Sequence, residues 1–176
     1  ELSDLKAVDL ERFSRLAEAA AEALRKEGLE QGGPFERALA LERHFRIPGA
    51  YQYSLNLDFV RDPALDPIED FVANHKTGHC EYFASALALM LRTQGIPSRV
   101  VNGYKGGHFN TLGRYFVVQQ RHAHAWVEAW MPSGEVPDYD VAGGLSSSGY
   151  WYRLDPTPDA RAMFTSEDES TIGHRL

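Results

Sequence analysis

The chain has 176 residues, the length of one ordinary domain, and its balance of 43% apolar and 24% charged residues excludes a wholly disordered protein. A formal net charge of −7 argues against a nucleic-acid-binding surface, and a single cysteine excludes an intrachain disulfide. No apolar run approaches the ~20 residues that a helix needs to cross a bilayer.

The first part of the chain predicts two amphipathic helices. Apolar residues recur at three- and four-residue steps over roughly the first two dozen positions, and Gly28 with the Gly32-Gly33 pair ends this helix. Pro34 stands where the first turn of a helix tolerates proline, and the apolar pattern of a second helix continues to Phe45.

The period of the pattern changes after Pro48-Gly49. From Tyr51 to Asp58, apolar and polar residues alternate, which predicts a half-buried strand. Asp66, Pro67 and Glu69 then form an N-terminal capping pattern, so a short helix should follow.

The strongest helix pattern runs from Cys80 to Gln94, with Gly95 as its stop. Helices first and an antiparallel sheet afterwards predict the α+β class, with the helix that opens at Cys80 packed on the sheet. Four strands are expected after this helix, separated by Gly-rich or polar turns: Arg99–Tyr104, Arg114–Gln120, Ala123–Met131 and Trp151–Asp155.

Cys80 is the candidate nucleophile. A lone cysteine is often only a small buried hydrophobe, but Cys80 follows Gly78-His79 and opens a helix. The free N–H groups and positive end of a helix lower a thiol pKa and favour the nucleophilic thiolate. The same N–H groups can stabilise an oxyanion beside the attacking sulfur.

A thiol nucleophile needs an imidazole and a third group that orients it. Side-chain alternation puts His122 and His124 on one face of the third predicted strand, so the spacing does not choose between them, and the opposite apolar face should be buried. Asp155, which ends the last strand before Pro156, is either the third group or a turn residue. Arg99 is expected to be a structural ion-pair partner.

Four segments in this order resemble the bacterial transglutaminase-like domains, relatives of the papain-type thiol enzymes. They read GHCEYFASA at 78–86, GIPSRVVNGY at 95–104, HAHAWVE at 122–128 and LDPT at 154–157. The resemblance implies a papain-like transglutaminase core, with Cys80 as nucleophile, His124 as base and Asp155 as orienting acid. We expect no cofactor and no metal, because the thiol is needed as a nucleophile and the sequence shows neither a closed zinc-ligand set nor a calcium-binding loop.

The resemblance implies acyl transfer from a peptide or protein carboxamide through a thioester on Cys80. Water would release the acyl group in a protease or amidase and a second amine would release it in a crosslinking enzyme, and both remain open. The backbone N–H of Cys80 is one candidate oxyanion donor, and Tyr53 or Asn74 could supply the other. His79 stands where relatives commonly carry an aromatic residue, and Trp126 could line an acyl-donor groove.

Similar domains are often extracytoplasmic parts of membrane-anchored proteins. The resemblance therefore implies a domain on the periplasmic side of a bacterial membrane protein, with a polypeptide substrate as partner and no nucleic acid. We expect a single domain excised from a larger protein, with a helical N-terminal subdomain over 1–48, a transglutaminase-like catalytic core over 49–160 and a polar tail over 161–176.

Two other interpretations compete with the thiol enzyme. The first is a hydrolytic zinc site, because cysteine and histidine are zinc ligands and three of them with an open position would suffice. No paired Cys-x-x-Cys or His-Glu-x-x-His spacing supports it. The second is a non-catalytic interaction module of the same fold, against which the presence of all three triad residues argues. The candidate zinc ligands are His79, Cys80, His122 and His124.

Overall fold

The structure is a computed structural model that describes residues 2–133, 141–146 and 148–158, the backbone alone for 141–146. The polar tail expected over 161–176 lies outside the described residues. In the described part of the chain, no helix has both the length and the hydrophobicity needed to cross a membrane. In chain order the elements are α1 (Ser14–Glu27), α2 (Pro34–Arg46), β1 (Gln52–Tyr53), α3 (Pro67–Asp70), β2 (Thr77–Gly78), α4 (Cys80–Thr93), β3 (Ser98–Tyr104), β4 (His108–Asn110), β5 (Tyr115–Val117), β6 (Ala123–Pro132), β7 (Val141–Ser146) and β8 (Gly149–Leu154).

Helix α1 begins at Ser14, later than the apolar pattern suggests, and residues 4–6 form a separate 3-10 turn. The residue at the N-cap position of α1, Phe13, makes no side-chain capping hydrogen bond. Instead the buried Glu69 of α3 accepts from the backbone N–H groups of Arg15 and Leu16, at 2.8 and 3.3 Å. A carboxylate distant in sequence thus satisfies donors that a helix start leaves free. Gly28, with a left-handed φ of 68°, ends α1 as predicted.

The strand predicted from Tyr51 to Asp58 shrinks to the two residues of β1. β1 pairs in parallel with β2, Gln52 opposite Thr77 and Tyr53 opposite Gly78, and β2 ends there because α4 begins at Cys80. Beyond this short partner, the chain turns locally, with the Ser54 hydroxyl accepting from the Asn56 N–H at 3.0 Å. Alternation alone therefore overpredicted this strand.

The main sheet has four antiparallel strands in the order β3-β6-β8-β7. Its register sets Gly103 of β3 opposite His124 of β6, and Val127 of β6 opposite Leu154 of β8. The strand predicted over Arg114–Gln120 is wrong in extent and place, because only Tyr115–Val117 is extended and it forms a separate hairpin with β4. The predicted α+β class is confirmed.

Helix α4 lies between the sheet and the two N-terminal helices, so most of its surface is buried. The apolar face predicted for β6 is buried from Ala125 to Met131, although Ala123 is exposed. The polar face is covered as well, since His124 and Glu128 are both buried. Arg99 makes the expected ion pair with Glu128, at 2.7 Å. The buried core side chains of α4 are Phe83, Ala84, Ala86, Leu87, Ala88, Met90 and Leu91.

Gly78 is the point where β2 passes closest to α4. A Cβ atom at this position would lie 2.9 Å from the Tyr82 Cβ and 3.2 Å from Phe71 Cε2. The Tyr82 Cβ is fixed to the helix backbone, so it cannot swing away.

We predict that Gly78→Ala lowers the free energy of unfolding by about 1–3 kcal/mol, because it overpacks the contact between β2 and α4. Urea unfolding measures the change. Thr77→Ala is the matched control, since its side chain leaves the strand on the opposite side, and it should cost less than about 1 kcal/mol. Equal losses for the two variants would contradict the close contact.

Candidate active site

Cys80 is the first residue of α4 and follows the end of β2 after one intervening residue, His79. His79 precedes the helix with an extended backbone, φ −98° and ψ 178°, and its side chain does not cap the helix. The half-buried Cys80 thiol therefore lies at the positive end of a 14-residue helix, where the first backbone N–H groups have no partner within the helix.

His124 is the second residue of β6 and lies between Cys80 and Asp155. Its Nε2–H donates to Asp155 Oδ2 at 2.9 Å, which leaves Nδ1 as the ring nitrogen available to the Cys80 thiol. The thiol is hydrogen-bonded to His124 and also accepts from the backbone N–H of Ala125. The structure thus brings together the three residues that the resemblance singled out.

His122 is not on the strand where alternation placed it. It ends a 3-10 turn at Gln120–His122 that precedes β6, and it is buried. Its Nδ1 accepts from the Gln119 N–H at 3.0 Å, so the ring closes its own turn and takes no part in the contact between Cys80 and His124.

The Asp155 carboxylate follows β8 and is almost fully engaged. Oδ2 accepts from His124 and from the ammonium of Lys105, and Oδ1 accepts from the Thr157 N–H at 3.2 Å. The backbone N–H of Asp155 donates to Glu42 Oε1 of α2 at 2.7 Å. Asp155 is therefore held in place by its side chain and by its backbone.

The protonation states of the three residues depend on one another. Burial raises the pKa of the Cys80 thiol, but the hydrogen bonds from His124 and Ala125 outweigh burial and leave that pKa below its ordinary value. Burial lowers the pKa of His124, yet the hydrogen bonds to Asp155 and Cys80 raise it to about 9. Burial raises the pKa of Asp155, but His124 and Lys105 hold it well below its usual range. At neutral pH His124 is therefore an imidazolium and Asp155 a carboxylate, and the Cys80 thiol ionises more readily than that of an ordinary cysteine.

Of the two predicted oxyanion donors, the structure brings only Tyr53 near Cys80. Tyr53 lies on β1, opposite Gly78, and burial together with the negative charge of Cys80 raises its phenol pKa, so its O–H stays protonated. The amide of Asn74 donates to Asp70 Oδ1 at 2.6 Å, and Asn74 is not part of the network around Cys80.

The other two predicted site residues flank the triad without joining its hydrogen bonds. His79 Nδ1 lies 3.8 Å from a Glu81 oxygen, and its ring meets Tyr82 edge-on at 5.1 Å. The ring of Trp126 lies over Gly103, beside His124 in the register, and the Arg153 guanidinium stacks on it at 4.2 Å. The buried Trp126 Nε1–H has no hydrogen-bond partner among the described residues.

Two residues in the network were not predicted from the sequence, Lys105 and Glu42. Lys105 follows β3, and the antiparallel pairing of Tyr104 with Ala123 places it at the end of the sheet where His124 lies. Glu42 lies on the apolar side of α2, next to the buried Leu41. A carboxylate beside buried leucine was a usable signal for Glu42, whereas Lys105 required knowledge of the register.

Within the residues that the structure describes, no group of three or more histidine, cysteine, aspartate or glutamate side chains is arranged to hold a metal ion. The four candidate zinc ligands do not converge: the His122 ring closes its own turn and that of His79 lies against Tyr82. The alternative zinc site therefore gains no support from the geometry.

Comparison with known proteins identifies relatives across most of the chain. A model of the transglutaminase-like superfamily matches residues 18–156. The chain is 39% identical over 127 residues to a protein-glutamine γ-glutamyltransferase of Pseudomonas aeruginosa, which covers 63% of this chain and 19% of that protein. It is 26% identical over 173 residues to the uncharacterized protein YebA of Bacillus subtilis, which covers 93% of this chain and 21% of that protein.

A solved structure shares the fold. The crystal structure of the periplasmic domain of TgpA from Pseudomonas aeruginosa bound to ethylmercury matches with a TM-score of 0.62 and 31% identity, over 90% of this chain and 53% of that chain. The chain thus spans about a fifth of the length of these two curated relatives and about half of that crystallised domain.

We predict that iodoacetamide alkylates Cys80 at pH 6 roughly tenfold or more faster than it alkylates a free thiol, which at that pH is almost wholly protonated. His124→Ala removes the hydrogen bond that stabilises the thiolate, so its alkylation should be slow. Mass spectrometry of the alkylated protein over time measures both rates.

His122→Ala is the matched control for this measurement. It removes a buried histidine two positions before His124, whose ring bonds to its own turn and does not contact Cys80. Its rate should equal that of the wild type. Equal, slow rates in the wild type and in His124→Ala would mean that Cys80 is an inert thiol.

Proposed function

The chain belongs to the transglutaminase-like superfamily, and on that premise we propose that it is a cysteine acyltransferase acting on glutamine carboxamides of polypeptides. The observation that carries this proposal is the continuous hydrogen-bonded series from the Cys80 thiol through His124 to the Asp155 carboxylate. The similarity to a protein-glutamine γ-glutamyltransferase supports glutamine as the acyl donor.

In the first half of the reaction, the Cys80 thiolate attacks the carboxamide carbon. The carbon–nitrogen bond then breaks, a thioester forms on sulfur, and the imidazolium of His124 gives its proton to the departing ammonia. The site favours this step, because its hydrogen bonds lower the pKa of the Cys80 thiol and keep His124 protonated at neutral pH.

In the second half, a primary amine attacks the thioester and gives its proton to the now neutral His124. The amide product leaves, and the thiolate and imidazolium are restored. Water in place of the amine gives hydrolysis by the same steps, so one site accounts for both outcomes. The name of the bacterial relative, a glutamyltransferase, favours the amine as acceptor.

We assign the oxyanion of the tetrahedral intermediates to two donors. The backbone N–H of Cys80 is at the start of α4, and the Tyr53 hydroxyl lies close enough to Cys80 for the thiolate charge to raise its pKa. A phenol that keeps its proton can donate to the oxyanion, and the helix dipole stabilises the same negative charge.

Asp155 acts through His124. Its carboxylate accepts from Nε2, which turns Nδ1 toward Cys80 and stabilises the imidazolium. We also propose a location on the periplasmic side of a bacterial membrane protein, supported by the match to a periplasmic domain of TgpA. Reporter fusions to the full-length protein test this location.

We predict that Cys80→Ala abolishes acyl-enzyme formation with little loss of folding stability, because no other residue supplies a thiol. Asp155→Ala should keep some turnover, with kcat reduced at most about 10⁴-fold, since aspartate orients the imidazole without forming a covalent bond. Ammonia release from glutamine peptides and mass mapping of the thioester measure these effects.

His122→Ala is again the control and should retain most turnover. Asparagine peptides of matched sequence test whether the carboxamide must be that of glutamine, and added primary amine separates transamidation from hydrolysis. Undiminished ammonia release by Cys80→Ala would refute the proposed nucleophile. A folded wild type that forms no thioester with any peptide would favour the non-catalytic module.

We further predict that Tyr53→Phe lowers kcat for ammonia release by roughly 10²-fold, the usual cost of losing one oxyanion donor. Alkylation of Cys80 at pH 6 should remain fast, because the thiolate depends on His124 instead. An unchanged kcat would exclude Tyr53 as the donor.

A further inference from the structure

We propose that Lys105 is a positioning residue of this site, which shares the Asp155 carboxylate with His124 and so limits how strongly Asp155 holds the imidazolium proton. The inference rests on the proposed function, because it concerns the acid that protonates the leaving ammonia.

Two cationic side chains share a single carboxylate oxygen of Asp155. The Lys105 ammonium and the His124 Nε2–H donate to the same Asp155 atom, Oδ2, while the other oxygen accepts from the backbone of Thr157. The two cations are therefore separated by one acceptor. Each cation weakens the hold of that oxygen on the other, because both draw on the same negative charge.

Lys105 is anchored to the turn that leads into the strand of His124. Its backbone N–H donates to the His122 carbonyl at 2.8 Å, which continues the β3–β6 pairing one step past Tyr104 and Ala123. Its side chain is only 33% exposed, so the ammonium lies against the protein instead of extending into water. The register of the sheet thus fixes where this charge lies.

The other charged groups around the pair come from the helices. On α4, the sulfur of Cys80 faces His124, and Glu81 lies near Cys80. On α2, Glu42 accepts a hydrogen bond from the Asp155 backbone, and Arg46 lies 3.9 Å from Glu42. Among the described residues, His124 and Lys105 are the two cations that contact Asp155. The positive charge of Lys105 lowers the pKa of His124, against the raising effect of Asp155 and Cys80.

The lowering of the His124 pKa by Lys105 favours the acylation step. Acylation requires His124 to give up its proton to ammonia, and an acid whose pKa is far above the working pH gives up its proton slowly. With Lys105 removed, no second cation shares Oδ2 with His124, and the imidazolium becomes a weaker acid.

The test is an NMR titration of the His124 imidazole in the folded chain. In Lys105→Met, the midpoint should move up by about one pH unit, because a neutral side chain of similar length replaces the nearby cation. Lys105→Arg keeps the charge and should restore the wild-type midpoint. Lys26→Met is the matched control, since it removes an ammonium that pairs with Glu22 at 3.0 Å on α1, and it should leave the midpoint unchanged.

Kinetics supply an independent measurement. For Lys105→Met, kcat for ammonia release at pH 7 should fall by about threefold with KM unchanged, and the alkaline limb of the pH profile should move to higher pH. If Lys105 had only a structural role, its replacement would leave the His124 titration midpoint and the alkaline limb of the pH profile unchanged. Lys105→Gln serves for the same measurements if the methionine variant does not fold.

The outcomes separate this inference from the proposed function. A wild-type His124 midpoint near the ordinary value of ~6.5 would overturn the thiolate–imidazolium pair itself. A high wild-type midpoint that stays unchanged or falls in folded Lys105→Met would overturn only the role of Lys105. An upward shift that arginine reverses would support it.

Discussion

The carboxylate of Asp155, only 16% exposed, is the constraint on which the rest of the site depends. A charge removed from water must be satisfied by nearby donors, and here the donors come from separate parts of the chain. His124 comes from β6, Lys105 from the end of β3, and the Thr157 N–H from the turn after β8. Misplacing any of these elements costs the carboxylate one of its hydrogen bonds, so the fold and the site stabilise one another.

The N-terminal helices are joined to this centre by carboxylates as well as by apolar packing. Glu42 of α2 accepts from the backbone of Asp155, while burial raises its own pKa. Glu69 of α3 caps α1 in the same manner. Both contacts link segments more than 50 residues apart, so the helical layer sets the position of the acid as well as shielding the core.

Local signals in the sequence account for the α+β class and for the extent of α4, whose N-terminal Cys80 and Gly95 stop are explicit. They fail where pairing partners decide: the alternation after Tyr51 has only a two-residue partner in β2, and β7 carries no pattern that predicts it. The resemblance selected His124 over His122, which periodicity could not do. Lys105 was missed because its contact with Asp155 follows from register, and register depends on the assembled sheet.

Cys80 lies on α4 and His124 on β6, and this separation in sequence matters while the chain is synthesised and folds. The thiol is made first, 44 positions before His124 in the order of synthesis. Until the sheet closes over α4, this cysteine has neither imidazole nor Ala125 N–H beside it and behaves as a common thiol. The lowered pKa of Cys80 is thus acquired on folding, and an unfolded copy carries only a thiol of ordinary reactivity.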